Sequence, residues 1–157
     1  MNSFVSWLTS CLGNRVLWAG LVSWAVAQVA KAIINFIVTK DFSVERLFGD
    51  GGMPSGHSAT VTAVSLSVGI ECGFGSPEFA IACVMAIIVM HDAMGVRYET
   101  GKQAKVINRM MQLFSDMGSA DISGQKKLKE FVGHSPMQVF AGFLLGSAVT
   151  VVFYALI

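Results

Sequence analysis

Apolar residues gather in four blocks, at about 16–39, 57–70, 79–94 and 137–157, with polar stretches at 40–56 and 97–135 setting the first and last blocks apart. A helix needs roughly 20 apolar residues to cross a bilayer. The fourth block meets that length with no charged residue, and the first nearly does, broken by Lys31. The second and third are short and need their flanks to span. They are joined by a glycine-rich turn at 69–78 that ends in Ser76-Pro77. Residues 1–12 are apolar enough to lie in a membrane interface. They lack a basic n-region and a small-residue cleavage site, so a cleaved signal peptide is not expected. The pattern predicts an all-α integral membrane helical bundle of about four spanning helices plus an N-terminal apolar, interfacial segment. It forms a single membrane-embedded domain over 1–157.

If the four blocks span, both polar stretches fall on one side of the membrane, and the turn and both termini on the other. Nine of the 11 Lys and Arg lie in those stretches: Lys40, Arg46, Arg97, Lys102, Lys105, Arg109, Lys126, Lys127 and Lys129. The positive-inside rule places this side in the cytoplasm. Some of these cations are also candidates for substrate contact, Lys102 among them.

Composition narrows the class. Of 157 residues 54% are hydrophobic and 13% charged, about half the charge of a typical soluble domain. A net charge of +1 gives neither the signature of disorder nor the basic excess of a nucleic-acid binder, so no nucleic-acid partner is expected. Cys11, Cys72 and Cys83 are odd in number and lack paired spacing, which indicates neither a disulfide framework nor a metal site.

The unusual polar residues cluster toward the cationic side. Met53-Pro54-Ser55-Gly56-His57-Ser58 opens the second block with good helix-starting residues, and the N–H groups of a helix start favour anions. His57 there is either a proton donor to a leaving group or an ordinary residue of a capped helix. Asp92, with Arg97, closes the third block. An acid at that depth is a functional candidate, and an Asp92–Arg97 ion pair pinning the helix end is a compatible reading. His91 reads as a packing or interface residue. Gly133-His134-Ser135-Pro136 opens the fourth block and sets a second histidine beside a potential anion site. Lys31, with Gln28 and Asn35 on its face, either snorkels or pairs with an anion. Gly142 and Gly146 make a close-packing face, within the bundle or in a homodimer. The run from Lys126 to Lys129 reads as a solvated or headgroup patch. Two histidines, a membrane-embedded lysine and an Asp/Arg pair suit a phosphate-handling site, in which one histidine attacks and the other protonates the departing oxygen.

These residues resemble a known superfamily. Pro54-Ser55-Gly56-His57 is similar to the central signature of the type 2 phosphatidic acid phosphatases and the related vanadium haloperoxidases. The wider pattern resembles the divergent, haloperoxidase-related branch. It comprises Gly51-Gly52-Met53-Pro54-Ser55 with His57-Ser58, Asp92-Ala93, Gly95-Val96-Arg97, Gly101, Gln103-Ala104, Asn108, Gly133-His134, Pro136, Val139, Gly142 and Gly146. The resemblance implies an all-α bundle with the motifs at one end. It makes His134 the histidine that attacks phosphorus and His57 the one that protonates the leaving group. Ser55 and Gly56 fall at phosphate-contacting positions, and Lys31 matches the lysine of the first motif. No metal or cofactor is implied.

The chain departs from the pattern at three points. Val38-Thr39 stands where the first motif carries Arg-Pro, Leu128 between Lys127 and Lys129 where the third motif carries arginine, and Gln138 where an aspartate follows the attacking histidine. Asp92 and Arg97 are expected to replace the lost carboxylate and arginine, with Gln138 still able to accept from the ring. The reading that follows is a metal-independent phosphatase acting on a lipid phosphate or pyrophosphate, in contact with membrane lipids. The alternative is an inactive membrane protein that binds or transports anionic lipid or phosphate.

Overall fold

The computed structural model describes residues 2–40, 52–117, 127–128 and 133–157. Among these residues there are six helices and no strand: α1 (Asn2–Leu12), α2 (Arg15–Thr39), α3 (Gly56–Cys72), α4 (Pro77–Met94), α5 (Val96–Asp116) and α6 (Pro136–Leu156). The starts are set by short polar residues. Asn14 Oδ1 accepts the Leu17 N–H at 3.0 Å, Ser55 Oγ the Ser58 N–H at 3.3 Å, and Ser76 Oγ the Phe79 N–H at 3.2 Å. Pro77 and Pro136 occupy first helical positions, where a missing N–H costs nothing. α1 is joined to α2 by the Trp18 indole N–H, which donates to the Leu12 carbonyl at 2.7 Å.

α3 is the central helix, packed against α2, α4 and α6. Its buried positions are small: Gly56, Ser58, Ala59, Thr62, Ala63, Ser65, Ser67 and Gly69. Large side chains such as Leu21, Ile37, Ile81, Ile87, Phe140 and Leu144 are exposed instead. Small residues inside and large apolar ones outside is the distribution expected where hydrocarbon surrounds the bundle and close backbone approach holds it together. Hydroxyls bond across the helices: Ser23 Oγ donates to the Ala59 carbonyl at 3.0 Å and Ser65 Oγ to the Ala82 carbonyl at 2.9 Å. At Gly142 and Gly146, α6 approaches so closely that an added Cβ would strike the Ser55 and Ala59 carbonyl oxygens. The small-residue face that sequence left open to bundle or homodimer is thus occupied by α3 of the same chain.

Among the described residues three helices are long and apolar enough to cross a membrane: Arg15–Thr39, Pro77–Asp116 and Pro136–Leu156. The sequence expected about four. The second block forms α3, whose 17 residues reach about 26 Å, under a hydrocarbon core of roughly 30 Å, although its two ends meet the starts of α6 and α2 at the two ends of the bundle. The polar stretch 97–135 is not all loop. It opens with α5, which continues from α4 after a single-residue break at Gly95 and buries Gly101, Ala104 and Asn108. Arg46, Gly51, Lys126 and Lys129 lie outside the described residues.

α2 runs antiparallel to α3 and α6 parallel to it, so α2 and α6 start from opposite ends of the bundle. Arg15 meets Glu71 at 3.8 Å at one end, and the starts of α3 and α6 meet at the other. The motif residues therefore share one end.

Candidate functional site

Three joints converge there. The Ser55 N–H, at the cap of α3, donates to the Gln138 carbonyl in the first turn of α6 at 3.0 Å. The His134 N–H donates to the Ala93 carbonyl near the end of α4 at 2.9 Å. Gly133 has φ +86°, and an added Cβ would collide with the Arg97–Tyr98 backbone at the start of α5, so this position requires glycine on two counts. α3, α4, α5 and α6 are thereby tied around the two histidines.

His134 is 2% exposed, whereas His57 in the first turn of α3 is open. Their ring centroids lie 6.3 Å apart with the planes at 61°. Gln138 Oε1 lies 3.2 Å from His134 Nδ1 and also accepts the Ser135 N–H at 3.1 Å. A backbone N–H can only donate, so the atom facing it is the amide oxygen. His134 Nδ1, facing the same oxygen, then carries the proton. In the neutral ring the lone pair falls on Nε2, the nitrogen a nucleophile needs.

Ser55 is fully buried and accepts the Ser58 hydroxyl at 3.1 Å, so the start of α3 is rigidly organised. Lys31 is 6% exposed. Its stem packs under the signature loop, with Cγ 3.4 Å from where Gly52, at φ +96°, would carry a Cβ. Gln28 was legible in sequence only as a polar neighbour of Lys31. It sits one turn before it with Nε2 3.3 Å from the Cβ position of Gly56, and its buried Oε1 has no hydrogen-bond partner among the described residues.

The expectation for Asp92 changes. Its carboxylate accepts from Arg97 Nε at 2.8 Å, a half-exposed pair, and the hydrogen bond at His134 Nδ1 is made by Gln138. Asp92 and Arg97 still flank the histidine through Ala93 and Gly133. Lys102 stands apart: it is exposed, bonded to Glu99 at 2.7 Å and lying 4.5 Å from the Tyr98 ring centroid. Sequence reasoning missed the backbone acceptor at Ala93, which no residue type announces. It also missed the Asn108 amide, which donates to the Leu128 carbonyl at 2.9 Å and accepts its N–H at 3.0 Å. That clasp holds Leu128, six residues before His134, on α5.

A buried imidazole with its lone pair on Nε2, a second imidazole beside it and a helix start between them can attack a phosphoryl group and protonate what leaves. Comparison with known proteins identifies a family. A model of the Divergent PAP2 family matches residues 12–149. The chain is also similar to the uncharacterized membrane protein YuiD of Bacillus subtilis strain 168, 42% identical over 149 residues that cover 90% of this chain and 94% of that protein. No solved structure matches the chain.

Proposed function

The chain belongs to the Divergent PAP2 family and is an integral membrane protein, and on that footing we propose that it hydrolyses a lipid phosphate or pyrophosphate through a phosphohistidine. The observation that carries this reading is the orientation of His134, whose Nδ1–H is bonded to Gln138 so that Nε2 holds the lone pair. His134 Nε2 attacks phosphorus, the bond to the leaving oxygen breaks, and His57 supplies that oxygen with a proton. Water then attacks the phosphohistidine, His57 takes up the proton, and inorganic phosphate departs. Lys31, Ser55, Gly56 and Arg97 hold the non-bridging oxygens. Asp92 positions Arg97, and Lys102 meets the headgroup further out.

Gln138 favours one second reading, a phosphate- or anionic-lipid-binding protein without turnover, because an amide stabilises the imidazolium less than a carboxylate does. The deciding measurement is phosphate release from a panel of lipid phosphates and diphosphates by purified protein in lipid nanodiscs. The expected result is turnover by the wild type and none by His134→Ala. Saturable lipid binding with equal, background-level release from both proteins would establish the second reading instead.

A further inference from the structure

α5 presents three faces. Gly101, Ala104 and Asn108 are buried against the protein. Val96, Val106, Ile107, Met110, Leu113 and Phe114 form a second face that is open and apolar. Lys102, Lys105 and Arg109 lie on a third, exposed and cationic. At 3.6 residues per turn the apolar sector adjoins the buried one on one side and the cationic one on the other. An aqueous helix has no use for an apolar sector that nothing among the described residues covers.

We propose that α5 is a membrane-interface helix, with its apolar face in the acyl region of the motif-side leaflet and its cations among anionic headgroups. Two features select lipid as the occupant. α5 continues directly from α4, and the charged residues missing from 79–91 resume at Asp92 and Arg97, where α5 begins, as expected of a chain leaving the hydrocarbon. The arrangement of an apolar sector beside a lysine- and arginine-bearing one matches the headgroup boundary, where long cationic side chains reach outward over a buried apolar stem. Glu99 is paired with Lys102 at 2.7 Å, which leaves Lys105 and Arg109 as the outward positive charge of the middle of the helix. Because Gly133 packs on the Arg97–Tyr98 backbone, the depth of α5 also sets the depth of His134. The inference stands whether or not the histidines turn over.

The test uses the full chain with its cysteines replaced by serine, in phosphatidylcholine vesicles with or without phosphatidylglycerol. Nitroxide labels are placed singly by Val106→Cys, Met110→Cys, Leu113→Cys, Lys105→Cys and Arg109→Cys. Labels at 106, 110 and 113 should collide several-fold more with oxygen than with a water-soluble nickel chelate, and those at 105 and 109 the reverse. Phosphatidylglycerol should draw the 105 and 109 labels toward the bilayer, and high salt should reverse the shift. The variant Lys102→Gln/Lys105→Gln/Arg109→Gln, labelled at 106, should keep the oxygen preference and lose the response to phosphatidylglycerol. Equal nickel access at all five positions would overturn the proposal. So would labels at 106, 110 and 113 shielded from both reagents with spin–spin broadening, which would mean a second copy of the chain covers the face. No response of the wild type to phosphatidylglycerol would overturn the anionic preference.

Discussion

Gln138 is where two donors meet one oxygen. The Ser135 N–H and His134 Nδ1–H both point at Oε1, so a single side chain caps α6 and selects the histidine tautomer. A carboxylate at this position would accept the same two bonds and add charge. Hydrogen bonds to a charged group contribute about 1.5–3 kcal/mol against roughly 0.5–1.5 for a neutral pair. The difference, about 1 kcal/mol or more, corresponds to a rate gain of roughly five- to tenfold when the positive charge on the imidazole develops only at the transition state. Gln138→Glu should therefore raise kcat for lipid-phosphate hydrolysis by about that factor. Gln138→Leu removes the acceptor altogether and should lower kcat by tenfold or more while costing about 1 kcal/mol of stability from the lost cap. A drop in kcat for the glutamate variant equal to that for leucine would show that Gln138 acts only as a cap. That His57 and His134 meet at one end was legible in sequence, because each stands beside helix-starting residues on the same side, while Ser55 and Gly56 were named through the resemblance. The partner of His134 was not settled by type: sequence favours Asp92 as the replacement carboxylate, with Gln138 still able to accept from the ring. The geometry decides: Asp92 is taken by Arg97, and Gln138 stands one helical turn from the ring it holds.

At the scale of elements, the hydrophobic blocks foretold α2, α4 and α6 because an uncharged apolar run has few alternatives to a helix in lipid. Two elements were harder to read. α3 is shorter than a span and is built from serine, threonine, alanine and glycine, a composition that reads as weak hydrophobicity and is in fact close packing. α5 was hidden by its charges, although Gly101, Ala104 and Asn108 already fall at helical spacing and are the residues it buries. The α3–α6 contact is the structural keystone of the site, because the Ser55-to-Gln138 backbone bond lies at its upper end. Gly146 abuts the Ala59 backbone, which cannot move aside as a flexible side chain would. Gly146→Leu should force α6 away from α3 and cost about 1–3 kcal/mol, the usual range for overpacking. Gly75 has open space around it. Gly75→Ala should therefore stay within about 0.5 kcal/mol of the parent chain. Denaturant titration in mixed micelles compares the two directly, and equal stability of the variants would show that the α3–α6 approach does not hold the bundle.

For the molecule as a whole, the distribution of charge matters more than its amount. Of 11 Lys and Arg, nine fall in the two segments that flank the starts of α3 and α6, and the far end keeps Arg15, paired with Glu71. Cationic loops are retained in the cytoplasm, so the end with His57 and His134 should face inward, and Cys72 beside Glu71 should face out. Cys72 is exposed and can report its own side once Cys11 and Cys83 are replaced. Lys127→Cys, at an exposed position six residues before Gly133, reports the other. In intact cells a membrane-impermeant maleimide should modify Cys72 and spare Lys127→Cys until the membrane is opened. The reverse labelling would turn the bundle over and direct the candidate site to the outer surface. It would also assign the nine cations to anion binding, since topology could then no longer account for them. With the expected labelling, the proposed lipid phosphate would reach His134 from the inner leaflet, past Arg97 and the start of α5, which the proposed interfacial position of that helix puts in the headgroup layer.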